Sequence, residues 1–227
     1  MVLAVLAIAT LSGPAAAQDT KKPASAVGGT WDTKQQPDPA VAGVALDAKQ
    51  VEAVRLVSGY FNEFLNLKGN FVQTNAEKKR EKGKFFVKRP GRLRFEYALP
   101  SKQLIVSDGQ QLAIQDLDLN TDDRIGLDQT PFRLLLRKDV DLMRDARIVD
   151  VQEANDLVIV TVQDKSPDAP GRIQLFFTKS PQLELKEWVM TDAQGHDTRV
   201  EVSNLVKTEE IEAEKFKITS PTLKKLQ

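Results

Sequence analysis

The sequence predicts a mainly β (α+β) fold: one strongly curved antiparallel sheet with few helices. Three observations carry this. About eleven short apolar-containing runs read as strands, and Arg92 to Tyr97 alternates apolar and polar residues with a period of two. Turn signals such as Asp108-Gly109, Asn155-Asp156, Ser180-Pro181 and Gln194-Gly195 separate them. Helical apolar spacing is confined to one stretch before the strands and one short stretch among them. A strand set that long tends to curl toward closure rather than stay flat.

The N-terminal part reads as leader and linker. Val2 to Leu11 is apolar and too short to span a membrane, and Gly13-Pro14 ends it before Ala15-Ala16-Ala17. This is the pattern of a signal peptide over residues 1–17, cleaved after Ala17, although no Lys or Arg stands near Met1. No cysteine follows the cleavage point, so the mature protein is not expected to carry a lipid anchor itself. Residues 18–45 are rich in Pro, Gly, Ala, Lys and Gln, with Trp31 as the large apolar group, and are expected to be a disordered linker. Residues 46–227 are expected to hold the folded domain.

The first helix is expected from Asp47 to Asn66. Asp47 and Gln50 have capping-box spacing. Val51, Val54, Val57, Phe61, Phe64 and Leu65 form one apolar stripe, with Gly59 inside it at a cost of about 1 kcal/mol against alanine. Strands follow at Leu67 to Thr74, Gly83 to Lys88, Arg92 to Tyr97, Gln103 to Ser107 and Gln111 to Asp116, with a short one at Arg124 to Leu127. Glu77 to Lys84 reads as a charged hairpin loop. Thr130-Pro131 opens a short apolar helix through Leu136, with Thr130 as N-cap, and a turn follows at Asp141 to Arg144. The later strands are Arg147 to Glu153, Leu157 to Gln163, Arg172 to Thr178, Leu185 to Asp192 and His196 to Lys207, with a last turn or strand near Phe216.

Composition excludes several function classes. The 32 Lys and Arg residues balance the 32 Asp and Glu residues, so there is no bulk charge for nucleic acid. Cysteine is absent, which removes disulfide and thiolate chemistry. The one histidine, His196, lies in a turn-like Gly195-His196-Asp197 setting without an expected nucleophile or orienting partner. Asp116, Asp118, Asp122 and Asp123 lack calcium-loop spacing and read as a solvated acidic loop. Neither a metal nor a cofactor is expected. The run Lys78-Lys79-Arg80-Glu81-Lys82 has two readings, a contact for an anionic partner or an exposed loop that blocks edge pairing; the second is preferred.

The sharpest feature is Lys88 to Tyr97. Pro90 ends one strand, and the next begins at Arg92 with Leu93, Phe95 and Tyr97 on one face and Arg92, Arg94 and Glu96 on the other. Arg89 therefore stands at a strand corner beside an apolar face. A guanidinium turned inward there has five donors to satisfy.

This corner, with Gly69-Asn70-Phe71-Val72-Gln73 upstream and Leu104 to Gly109 and Thr130-Pro131-Phe132-Arg133-Leu134-Leu135 downstream, resembles the LolA family of periplasmic lipoprotein carriers. Leu93 and Phe95 stand where bulkier aromatics are common in that family. The resemblance implies an incomplete barrel with a helical lid over an apolar cavity. It implies that Arg89 latches the lid by bonding backbone carbonyls. The expected cavity and lid residues are Val57, Phe61, Phe64, Phe71, Leu93, Phe95, Tyr97, Phe132 and Leu135. The implied role is a periplasmic carrier, not an enzyme, acting as a monomer. Its partners would be acylated lipoproteins, an inner-membrane lipoprotein-releasing ABC exporter and an outer-membrane acceptor lipoprotein. The alternative of the same fold is a lipid-sensing regulator of RseB type, for whose added C-terminal domain the chain leaves no room. A lipid hydrolase would need a nucleophile and base that the sequence does not offer.

Overall fold

The computed structural model describes residues 44–219. The expected leader, and all but the end of the expected linker, lie outside the described residues.

Helix α1 spans Ala48–Asn62 and opens with the expected capping box: Gln50 N–H donates to Asp47 Oδ1 at 2.8 Å, and Asp47 N–H to Gln50 Oε1 at 3.0 Å. The helix stops four residues short of the expected end. The carbonyls of Phe64 and Leu65 are taken by Arg89, through Nη1 at 3.1 Å and its backbone N–H at 2.8 Å, and Asn66 already begins a strand.

Eleven strands follow: β1 (Asn66–Thr74), β2 (Arg80–Lys88), β3 (Arg92–Tyr97), β4 (Gln103–Asp108), β5 (Gln111–Asp116), β6 (Thr121–Gly126), β7 (Ala146–Glu153), β8 (Leu157–Asp164), β9 (Arg172–Thr178), β10 (Glu184–Thr191) and β11 (Asp197–Thr208). They form one antiparallel sheet in the order β6-β5-β4-β3-β2-β1-β11-β10-β9-β8-β7. The expected loop over Glu77 to Lys84 is mostly strand. Pairing with β1 runs from Thr74↔Arg80 to Asn66↔Lys88, and only residues 75–79 turn. Charged side chains hid the start of this strand: Arg80 to Lys82 pair with β1 alone, and pairing with β3 begins only at Gly83.

β6 and β7 are consecutive in sequence yet form the two opposite, unpaired edges, so the sheet is not closed. Its curvature follows from packing. Phe71, Phe85 and Phe95 of β1 to β3 share one hydrophobic cluster with Val160, Leu175 and Phe177 of β8 and β9. A flat sheet would hold these strands far apart. α1 packs into the concave side, with Tyr60 edge-on to Phe177 at 5.0 Å between ring centroids. Close strand packing explains one glycine: a Cβ on Gly83 would lie 2.0 Å from the Glu96 carbonyl oxygen.

The chain from β6 to β7 bridges the two edges across the concave side. It contains the 3-10 turns Leu127–Gln129 and Pro131–Leu134 and the single-turn helix α2 (Leu142–Asp145). The expected α-helix at Pro131 is thus a 3-10 turn. Thr130 does not cap it; its hydroxyl donates to the Leu127 carbonyl at 2.8 Å. Asp141 does cap α2, accepting from Arg144 N–H at 3.0 Å.

After β11 the chain crosses the outer face. The Ile211 carbonyl accepts from Lys88 Nζ at 2.8 Å, and the Lys215 carbonyl from Arg94 Nη1 at 2.9 Å. The 3-10 turn Ala213–Phe216 buries Phe216 there. Arg94 is therefore largely covered, and it pairs with Glu96 of the same strand face at 2.6 Å.

Candidate functional site

An apolar cavity lies between the C-terminal end of α1, the edge-bridging segment and the concave sheet face. α1 and its exit supply Phe61 and Phe64; the bridging segment supplies Phe132, Leu135 and Leu136; the sheet supplies Leu67, Phe85, Val87, Leu93, Phe95, Leu185 and Trp188. Its free space is about 60 Å³. About 10–15 Å³ of such space admits a single water, so the chamber in this state holds only a few small groups.

The charged group in the wall is Arg89, which is 5% exposed. Its Nε donates to the Arg137 carbonyl at 2.7 Å and its Nη2 to the Lys138 carbonyl at 2.8 Å, both on the bridging segment. Nη1 reaches the Phe64 carbonyl, and Nη2 also reaches Asn62 Oδ1 at 3.1 Å. Burial holds the guanidinium below its ordinary value, with Asp139 opposing the shift. Every acceptor it uses is neutral. Separating these groups would therefore strand no carboxylate, and water could replace each bond.

Further contacts fasten the bridging segment. Asn62 grips Val140 in both directions, Nδ2 to the carbonyl at 2.8 Å and Oδ1 from the N–H at 2.9 Å. Leu142 N–H donates to Ser58 Oγ at 3.2 Å, and Gly91 N–H to the Leu136 carbonyl at 2.8 Å. Arg133 forms a bidentate pair with Asp164 at the end of β8, 2.5 and 2.6 Å, with the Asp164 carboxylate fully buried.

Of the residues expected at the cavity, Phe61, Phe64, Leu93, Phe95, Phe132 and Leu135 line it together with Arg89. Val57, Phe71 and Tyr97 do not line it; they are buried in the surrounding core. Phe71 sits edge-on to both Phe95 and Tyr97 at 5.0 Å, and the Tyr97 hydroxyl donates to Gln73 Oε1 at 2.7 Å. Burial pushes that hydroxyl well above its ordinary value. Sequence reasoning missed Asn62, Leu67, Phe85, Val87, Leu185 and Trp188. Ser58 and Asn62, four apart on the helix beside its apolar stripe, were the available signal for a polar seam.

Elsewhere the chemistry is plain. His196 is exposed in the β10–β11 turn, with Nδ1 3.3 Å from Asp192 Oδ2. Asp118 pairs with Lys102 at 2.7 Å and Asp122 with Arg124 at 2.7 Å. Among the described residues, no cluster of three or more His, Cys, Asp or Glu side chains is placed to hold a metal ion. No helix among them is long and apolar enough to cross a membrane. Lys78 and Lys79 are exposed at the β1–β2 hairpin, and Arg80 reaches Glu201 of β11 at 3.1 Å.

An open half-barrel with a plugged apolar chamber and a polar-latched cover is the class of structure this arrangement defines. The chain belongs to the LolA family: residues 62–219 match the family described as outer membrane lipoprotein carrier protein LolA. It is 32% identical over 167 residues to an outer-membrane lipoprotein carrier protein of Chromobacterium violaceum, covering 70% of this chain and 79% of that one. It is 31% identical over 191 residues to the protein of the same name from Methylibium petroleiphilum, covering 78% and 90%. Among solved structures, a LolA superfamily protein of Nitrosomonas europaea aligns over 77% of this chain and 99% of that chain, with a TM-score of 0.45 and 11% identity.

Proposed function

We propose that this protein is a carrier that shelters the acyl chains of lipoproteins during transfer between membranes. The observation that carries the reading is the Arg89 latch: a buried cation fastening a cover over an apolar chamber through neutral acceptors alone. Each methylene left in water costs about 0.8 kcal/mol, so an acylated protein does not leave a membrane unshielded. A chamber of about 60 Å³ cannot hold such chains as it stands. The cover must lift, and the hydrogen bonds across it are of the kind that water and cargo can replace. Family membership and the names of the relatives support the same role.

The finer reading is as follows. The chain is exported to the periplasm and cleaved after Ala17, leaving residues 18–45 as a linker before the carrier domain of 46–227. It takes cargo from an inner-membrane exporter, passes it to an outer-membrane acceptor, works as a monomer, and turns nothing over. Phe61, Phe64, Leu93, Phe95, Phe132 and Leu135 contact the acyl chains, with Val57, Phe71 and Tyr97 behind them. A fluorescent fatty-acid probe bound by the purified protein and displaced by an intact lipopeptide tests this. Failure to bind either ligand overturns the reading, and steady release of a hydrolysed product favours an enzyme. The intact mass of the periplasmic form tests export; a protein retaining Met1 in the cytosol contradicts it.

A further inference from the structure

Trp188 stands on β10, three residues after Leu185. Simple alternation would place the two on opposite faces. A bulge between Leu185 and Glu187 shifts the pairing with β9, so that both side chains line the cavity. Trp188 is 7% exposed and meets Phe95 and Phe85 edge-to-face, with centroids 6.2 and 6.5 Å apart. Its indole N–H is buried and has no acceptor among the described residues. An indole N–H can only donate, and a buried donor without a partner calls for an explanation. Arg89, the other polar group in the wall, already donates to three carbonyls and Asn62 Oδ1.

We propose that the Trp188 indole N–H is the polar anchor of the cavity, donating to the carbonyl oxygen of an ester- or amide-linked acyl chain. This rests on the reading of the protein as an acyl carrier and adds a chemical selectivity to it. Hydrocarbon contributes area but no orientation. With the Arg89 donors already engaged, one unengaged donor in a mostly apolar wall recognises the polar atom that every esterified fatty chain carries beside its first methylene. Loading the cavity then satisfies a donor that finds no acceptor among the described residues.

The test compares a dipalmitoyl-ester lipopeptide with its dialkyl-ether counterpart of equal chain length, each displacing the same fluorescent fatty-acid probe from the purified protein. The expected result is tighter binding of the ester by about fivefold, the weight of one neutral hydrogen bond. Trp188→Phe should bind both at the ether level. Equal binding of the two ligands by the unaltered protein overturns the proposal even if the variant fails to fold, as does an ester preference retained by Trp188→Phe. Binding of neither ligand by the unaltered protein rejects the carrier reading itself, and the anchor with it.

Discussion

Asn62 and Arg89 meet at a 3.1 Å hydrogen bond from Arg89 Nη2 to Asn62 Oδ1, and the same oxygen receives the Val140 N–H at 2.9 Å. One side-chain amide at the end of α1 thus joins the latch to the cover. Asn62→Ala removes three hydrogen bonds and leaves the Val140 backbone unmatched. It should lower stability by about 1–3 kcal/mol and speed uptake of a fatty-acid probe. Urea unfolding and stopped-flow fluorescence check the two effects; unchanged uptake with lowered stability assigns Asn62 to the fold alone.

Arg89→Leu deprives the Phe64, Arg137 and Lys138 carbonyls of this donor and adds an apolar group to the wall. The variant should keep its far-UV circular dichroism spectrum, hold acyl cargo more readily and hand it over poorly. Arg92→Leu is the control, since Arg92 is exposed and its Nε makes a 3.4 Å contact with the Asp108 carbonyl on its own side of the sheet corner, away from the cover. Wild-type transfer rates in both variants contradict the latch.

Asp164→Asn should destabilise the protein by about 3 kcal/mol, the lower end for a broken buried pair, because Arg133 retains some access to water. The double variant Arg133→Met with Asp164→Leu should recover much of that loss, since no charge is then left unpaired. Chemical denaturation of the three proteins measures both.

Acid should loosen the cover. Arg144 first, then Arg137, holds the Asp145 carboxyl down at about 2. A carboxyl depressed on folding stabilises the folded state above its unfolded value of about 3.9, and the contribution is lost as pH falls through the folded value. The melting temperature should therefore decline between about pH 4 and 2. Asp145→Asn should melt lower than wild type at neutral pH and lose less on acidification.

Gly83→Ala drives a methyl into the Glu96 carbonyl and toward the Phe71 ring. Forcing β2 from β3 should cost about 1–3 kcal/mol, as overpacking does. A melting temperature equal to wild type contradicts this close approach.

Much of the sheet was legible because short apolar runs end at turn signals, with period-two alternation added at Arg92–Tyr97 and Arg172–Thr178. Arg92–Tyr97, Gln111–Asp116 and Arg172–Thr178 match the expected strands residue for residue. Alternation fails where charge covers both faces, as at Arg80 to Lys82, and where a bulge breaks the period, as at Lys186. The bulge is why Trp188 went unnoticed. Arg89 was legible from its corner position and the family resemblance. Asn62 and Asp164 were not, because their partners lie 78 and 31 residues away and no local pattern announces them.

The order of strands has a kinetic consequence. All pairings join strands consecutive in the chain except β1 with β11. Two meanders, β1 to β6 and β7 to β11, can each form by short loop closures, whereas the seam joins Asn66 to Thr208 and must wait for both. Until it closes, β1 and β11 are bare edges, and β1 carries the Phe71 ring. A newly made chain is most vulnerable to edge-to-edge pairing with another copy in that interval, and the seam residues Phe71 and Val202 are where folding rate is most open to substitution.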